Sequence, residues 1–184
     1  MLECKLTHMA GHNKWTQIKR QKGKTDAEKS KIFGKFAKLI SEEAKKSGGD
    51  LNSPSLKTAI DRAKAANMPN DNIDKAIKRA ISDKTTAMER VVYESYGPGG
   101  AAIIIEALTH NRNKAAQEIK FILSKHGASL GSMGSVTWSF EKKGEEWFPT
   151  STVSLSDEDL RKLDTLVEEL ESNEEVQDVF TNAE

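Results

Sequence analysis

Residues 91–108 read Val-Val-Tyr-Glu-Ser-Tyr-Gly-Pro-Gly-Gly-Ala-Ala-Ile-Ile-Ile-Glu-Ala-Leu. Val91–Tyr96 and Ala101–Leu108 are rich in the β-branched and aromatic residues that fit the pleated surface of a strand. Between them Gly97-Pro98-Gly99-Gly100 supplies a turn, with the Pro98 ring presetting φ and Gly99 accepting φ > 0. A β-hairpin is expected. The glycines could be taken for a phosphate cradle, but they lie between two strands and open no helix, so the turn takes precedence.

Toward the C-terminus, a helix is predicted from about Arg112 to His126, burying Ala115, Ile119, Ile122 and Leu123, with Gly127 in the left-handed position that ends it. Val136, Trp138 and Phe140 alternate with Thr137 and Ser139, the period-two signal of a strand, and Thr152–Leu155 reads as its antiparallel partner. Lys142-Lys143-Gly144-Glu145 looks like the connection, so one continuous hairpin is expected from Val136 to Leu155. Ser156 should cap a helix with Leu160, Leu163, Leu166, Val167 and Leu170 inward, and Val176–Thr181 closes the chain as a strand. From Ala101 onward the order is strand, helix, strand, strand, helix, strand. That is the ferredoxin-like order, with one extra strand at Val91.

Toward the N-terminus the pattern turns helical. Thr25 and Glu28 form a capping box that starts a helix near Asp26, with Ile32, Phe33, Phe36, Leu39 and Ile40 on its apolar face. Lys31, Lys35, Lys38 and Lys45 fall in a stripe roughly 80° wide outside that face. Ser53 and Pro54 start a second helix with a small-residue face of Leu56, Ala59, Ile60, Ala63 and Ala66. Pro69 stops it, and Asn70 caps a third that carries Ile73, Ala76, Ile77 and Ile81. The fold class is therefore α+β: an N-terminal extension and basic arm over residues 1–25, a three-helix domain over 26–82, and a ferredoxin-like α/β domain over 83–184.

The formal net charge of zero conceals an asymmetry. Met9–Arg90 carries 19 Lys and Arg against 10 Asp and Glu, net +9, whereas Val91–Glu184 carries 8 against 17, net −9. A basic module for a polyanion joined to an acidic one accounts for this. Two oppositely charged surfaces that dock on each other are the lesser alternative. In the arm, His12, Lys14, Lys19, Arg20, Lys22 and Lys24 are interleaved with Trp15, so cations for phosphates accompany a ring on which a base can stack. Trp15 can instead anchor the arm in the helical domain.

Catalytic chemistry has no foothold in the pattern. His8, His12, His110 and His126 sit in unrelated contexts, and no triad or metal spacing is present. His126 suits a helix C-terminus, and Asp157, Glu158 and Asp159 suit the dipole of a helix start. The single cysteine, Cys4, leaves no internal disulfide and no zinc ligand set. No apolar run approaches the roughly 20 residues of a membrane span, and Met1–His8 has no signal-peptide character. The expectation is a cytoplasmic, non-enzymatic protein without cofactor, metal, membrane partner or small-molecule substrate.

Four motifs carry a family resemblance. Met9-Ala10-Gly11-His12-Asn13-Lys14-Trp15, Tyr93-Glu94-Ser95-Tyr96-Gly97-Pro98-Gly99-Gly100, Asn111-Arg112-Asn113 and Val176-Gln177-Asp178-Val179 resemble signatures of the YebC/PmpR family. The resemblance implies a helical N-terminal domain followed by α/β domains. It also implies one of two roles: DNA-binding transcriptional regulation, or ribosome-associated, RNA-binding translation control as in the mitochondrial translational activator relatives. Met9 matches the usual family start. Family members usually carry a third domain inserted between the strands near Phe140 and Thr152, where this chain has only residues 141–151, so a shortened form is expected. The expected function is a nucleic-acid-binding regulator of gene expression, with DNA or RNA, and through RNA the ribosome, as partner. The binding residues would be His12, Lys14, Trp15, Lys19, Arg20, Lys22, Lys24, Lys31, Lys35 and Lys38. A protein-interaction or small-ligand module, with the basic helices docked on the acidic half, is the alternative of another class.

Overall fold

A computed structural model describes residues 26–82 and 87–184. The helical part comprises α1 (Asp26–Lys46), α2 (Pro54–Ala65) and α3 (Asn70–Ser82). Their small and branched side chains let the helices approach closely. Leu39, Ile40, Ala44, Leu56, Ala59, Ala63, Ile73, Ala76 and Ala80 form one buried cluster. Pro54 stands at the first helical turn as expected, where its missing N–H costs nothing. Ser53 precedes it without a capping bond, its hydroxyl lying 3.3 Å from that of Ser55. Asn70 is already helical, so the third helix begins one residue earlier than the capping pattern placed it. The Thr25–Glu28 capping box lies outside the described side chains.

The α/β part follows as β1 (Glu89–Tyr96), β2 (Ala102–Thr109), α4 (Arg112–Lys125), β3 (Ser129–Leu130), β4 (Phe140–Lys143), β5 (Glu146–Pro149), α5 (Asp157–Ser172) and β6 (Val176–Thr181). β1 and β2 form the expected hairpin, with Tyr93 opposite Ile105 and Tyr96 opposite Ala102. The turn needs its glycines, since Gly99 and Gly100 have φ of 64° and 80°. Asn111 caps α4 by accepting from the amides of Asn113 and Lys114, and Ser156 caps α5 through Asp159. Gly127 ends α4 at φ 71°.

Sheet topology departs from the expected strand assignment while the α+β class stands. The order is β3-β1-β2-β6, antiparallel throughout. β1 is therefore no appendage: it fills the slot between β2 and β3 that the ferredoxin-like order gives to a later strand. Val136–Phe140 is not a strand of this sheet. Thr137–Ser139 forms a 3₁₀ turn, Val136 and Phe140 are buried, and Trp138 points outward, 69% exposed. Nor is Thr152–Leu155 a strand, since only Val153 makes a bridge, to Ala183. The continuous hairpin expected from Val136 to Leu155 is instead a shorter two-stranded sheet, Phe140 pairing with Pro149 and Lys143 with Glu146 around Gly144.

The layers follow from the alternation on β2. Ile103, Ile105 and Ala107 pack with Ile119 and Leu123 of α4 and with Leu163, Leu166 and Leu170 of α5. Ala102 and Ile104 face the other way, onto Val136, Phe140 and Phe180, with Trp147 of β5 alongside. Two helices thus cover one side of the sheet and the small hairpin closes the other.

Candidate nucleic-acid interface and domain docking

The helical domain sits at the end of the sheet where β1 begins and β2 ends. Leu108, fully buried, leaves the sheet to join the helical cluster. Around this plug the contacts are ionic. Arg62 of α2 donates from one nitrogen, Nη2, to both carboxylate oxygens of Asp178 of β6, each at 2.9 Å. Lys38 of α1 donates to Glu175 at 3.4 Å and to the Glu174 carbonyl at 3.3 Å. Arg90 of β1 reaches Glu43 of α1 at 2.9 Å and also Glu145 in the β4–β5 turn. The Met88 amide donates to Glu42 at 2.8 Å. Burial alone would raise the carboxyls of Glu43 and Glu175. It is outweighed at Glu43 by Ser55, Lys46 and Arg90, and at Glu175 by Thr109, Lys38 and Lys114, so both lie below the ordinary carboxylate range. A cavity of about 70 Å³ remains between the domains, lined by Arg62, Arg90, Lys142, Glu106, Glu145 and Asp178 among others. Its charged groups already neutralise one another.

The cations facing away from this interface are different. Lys31, Lys57, Lys64, Lys75, Lys78 and Arg79 are exposed and make no ion pair among the described residues. In the α/β half only Lys120 and Arg161 stand so among the described residues. The exposed acids Asp61, Asp71 and Asp74 share α2 and α3, which makes the outer helical surface moderately rather than strongly positive.

The stripe foreseen on α1 is therefore divided. Lys31 is exposed, Lys35 is half-buried and already engaged, and Lys38 turns to the docking face. His12, Lys14, Trp15, Lys19, Arg20, Lys22 and Lys24 lie outside the described residues. Sequence periodicity did not single out Lys57, Lys64, Lys75, Lys78 and Arg79. Their spacing of three, four and seven residues on α2 and α3 was the available signal.

The motifs that carried the resemblance acquire structural roles. Tyr93 donates to the Arg112 carbonyl at 3.1 Å, and Ser95 to the Ser129 carbonyl at 2.9 Å. The Glu94 carboxylate, 5% exposed, accepts from the amides of Gly134 and Val136 at 2.7 Å each and of Thr137 at 3.0 Å. Tyr96 donates to the Ser135 carbonyl at 2.7 Å.

A family model described as the TACO1/YebC protein N-terminal domain matches residues 13–83, and one described as the TACO1/YebC second and third domain matches residues 88–146 and 145–183. The chain belongs to the TACO1/YebC family. The TACO1/YebC match to the α/β half breaks at the β4–β5 turn, where Arg90 holds Glu145. Among TACO1/YebC relatives, a probable transcriptional regulatory protein of Thermoanaerobacter pseudethanolicus is 38% identical over 239 residues, covering 96% of this chain and 97% of the relative. That alignment is longer than the 184-residue chain itself. A probable transcriptional regulatory protein of Chlorobaculum tepidum is 47% identical over 169 residues, covering 91% of this chain and 67% of the relative. The crystal structure of a conserved hypothetical protein, Aq1575, from Aquifex aeolicus superposes with a TM-score of 0.81 at 30% identity, covering 93% of this chain and 96% of that one. Among the described residues, no helix is long and apolar enough to cross a membrane.

Proposed function

We propose that this protein is a nucleic-acid-binding regulator of gene expression that uses its basic arm and the outer surface of its helical domain to contact the phosphate backbone. One observation carries the reading: the cations of the helical domain are sorted. Lys38 and Arg62, which face the α/β half, are consumed by Glu175 and Asp178, whereas Lys31, Lys57, Lys64, Lys75, Lys78 and Arg79 are exposed and make no ion pair among the described residues. Unpaired, hydrated cations are the groups whose counterion exchange drives polyanion binding. The curated relatives' names support regulation of transcription as the first assignment and a regulatory rather than catalytic role. Control of translation through RNA is the second. The docking and polyanion readings of the charge asymmetry are compatible, because they use different lysines.

In this proposal the binding surface comprises His12, Lys14, Trp15, Lys19, Arg20, Lys22, Lys24 and Lys31, extended by Lys64, Lys75 and Lys78, while Lys38 serves docking and Lys35 is already engaged. The β4–β5 turn takes the place of the inserted third domain. The test is titration of fluorescent duplex DNA and single-stranded RNA of matched sequence across a salt series. K64Q/K75Q/K78Q should flatten the log-log salt slope on duplex DNA by up to about 2 to 3 units. Binding that is independent of salt, or unaltered by the triple neutralisation in a folded protein, would remove the helical surface from the site.

A further inference from the structure

The end of the sheet far from the helical domain carries a second feature, which the nucleic-acid reading does not use. Between β3 and β4 the chain runs Gly131-Ser132-Met133-Gly134-Ser135-Val136-Thr137-Trp138-Ser139, nine residues without a charge in a protein that is 30% charged. Met133 is 88% exposed, Trp138 69% and nearby Tyr96 46%. Such side chains are normally spread singly over a surface, and here they are gathered at one loop.

The loop is held firmly. The buried Glu94 carboxylate binds three of its amides, the Gly131 amide donates to the Glu94 carbonyl at 2.7 Å, and Val136 plugs the loop into the back of the sheet. The Tyr96 hydroxyl and the Trp138 indole N–H both donate to one acceptor, the Ser135 carbonyl, at 2.7 and 2.8 Å. Their polar handles are thereby satisfied inside the protein and both rings are tied to one point. A side chain already ordered loses little rotamer freedom when it is bound, so such a surface binds at reduced entropic cost.

We infer that this loop is the docking element for a protein partner that presents an apolar pocket set in a basic surface. Trp, Tyr and Met are the residues enriched at the centre of protein interfaces, where charge is depleted, and Ser132 and Thr137 supply a polar fringe. A basic partner is indicated by charge. The turn at Gly99 packs against Leu155 and Asp159, so the start of α5, with exposed Asp157 and Glu158, lies at this same end. The half that bears the loop has net charge −9, and the loop offers no cation to a phosphate. A nucleic acid is disfavoured here for that reason, and is left to the helical domain.

A photo-reactive benzophenone side chain at position 133 of the full chain, irradiated in cells, tests the inference. The expected product is a nuclease-resistant adduct with a different polypeptide, its cross-linked peptide apolar and flanked by Lys or Arg in the partner's structure. Its yield should fall about tenfold or more with Trp138→Ala, recover with Trp138→Phe, and drop with D157N/E158Q. Thermal unfolding of each variant controls for folding. An adduct destroyed by nuclease, an adduct with a second copy of this chain, no adduct, or a yield indifferent to Trp138→Ala in a folded protein would each overturn it. The salt-slope measurement on the helical surface is independent of every one of these outcomes.

Discussion

Glu94 offers a sharp quantitative test of how the loop is held. Glu94→Gln keeps the shape of the side chain but removes its charge and turns one of two acceptor oxygens into a donor facing backbone N–H groups. Three amides at 2.7, 2.7 and 3.0 Å then compete for one carbonyl oxygen in a nearly buried site. A hydrogen bond to a charged group contributes about 1.5 to 3 kcal/mol, and an unmet buried donor costs about 1 to 3 kcal/mol. The substitution should therefore destabilise the α/β domain by about 2 to 4 kcal/mol. For a chain of this size that lowers the melting temperature by roughly 4 to 16 °C.

The pH dependence has a definite sign. Burial by itself would raise the Glu94 carboxyl, but the amides of Val136, Gly134 and Thr137 outweigh it and hold it below its ordinary value. A depressed carboxyl contributes stability that is fully present above the unfolded value of about 4.3 and is lost as pH falls through the folded one. The gap between parent and variant should accordingly be constant near neutrality and close on acidification. Urea denaturation across pH, with hydrogen exchange at Gly134, Val136 and Thr137, measures both. A variant within about 0.5 kcal/mol of the parent at pH 7, or amides that exchange no faster, would refute the reasoning.

Three further outcomes are expected. Leu108→Ala empties the plug that the sheet inserts into the helical cluster and should cost about 2 to 5 kcal/mol by denaturant unfolding; a loss below about 1 kcal/mol would show that the domains dock by charge alone. A double-mutant cycle on Arg62→Ala and Asp178→Ala should give a coupling of about 1 kcal/mol that weakens in high salt, since both side chains are about one-third exposed. In binding titrations, K19Q/R20Q/K22Q should flatten the salt slope by up to about 2 to 3 units, whereas Trp15→Ala should weaken binding by about 1 to 3 kcal/mol with the slope unchanged. A lowered melting temperature for Trp15→Ala would instead assign that ring to packing.

Elements whose signals are local were legible in the sequence. Pro98 with Gly99 dictated the hairpin, Pro54 the start of α2, Ser156 the cap of α5, and helical apolar spacing the buried faces. Elements decided by a distant partner were not. The alternation of Val136, Trp138 and Phe140 is genuine. However, the Glu94 carboxylate, brought from β1, draws the amides of 136 and 137 away from any ladder and bends the segment into a turn. Trp147 and Phe148 looked like part of a connection, yet they form β5, with the Trp147 indole donating to Glu106 at 2.8 Å. The same holds for charge. Summing each half exposed the asymmetry, but only the tertiary structure separates Lys38, spent on Glu175, from Lys31 on the same helix.

The central place of β1 governs how the chain must assemble. β1 and β2 are neighbours in sequence, and β3 follows after one helix, so three of the four strands can form from a contiguous stretch of low contact order. β6 alone returns from far away, Thr181 to Ile103 and Val176 to Ala107. Until it arrives, β2 presents an unpaired edge along Ala102-Ile103-Ile104-Ile105, an uncharged run of high β-propensity and the kind of template that recruits other chains. Chains cut short before Val176 should therefore aggregate through this edge. On the ribosome, β6 emerges after the rest of this sheet, and its arrival seals the open edge of β2.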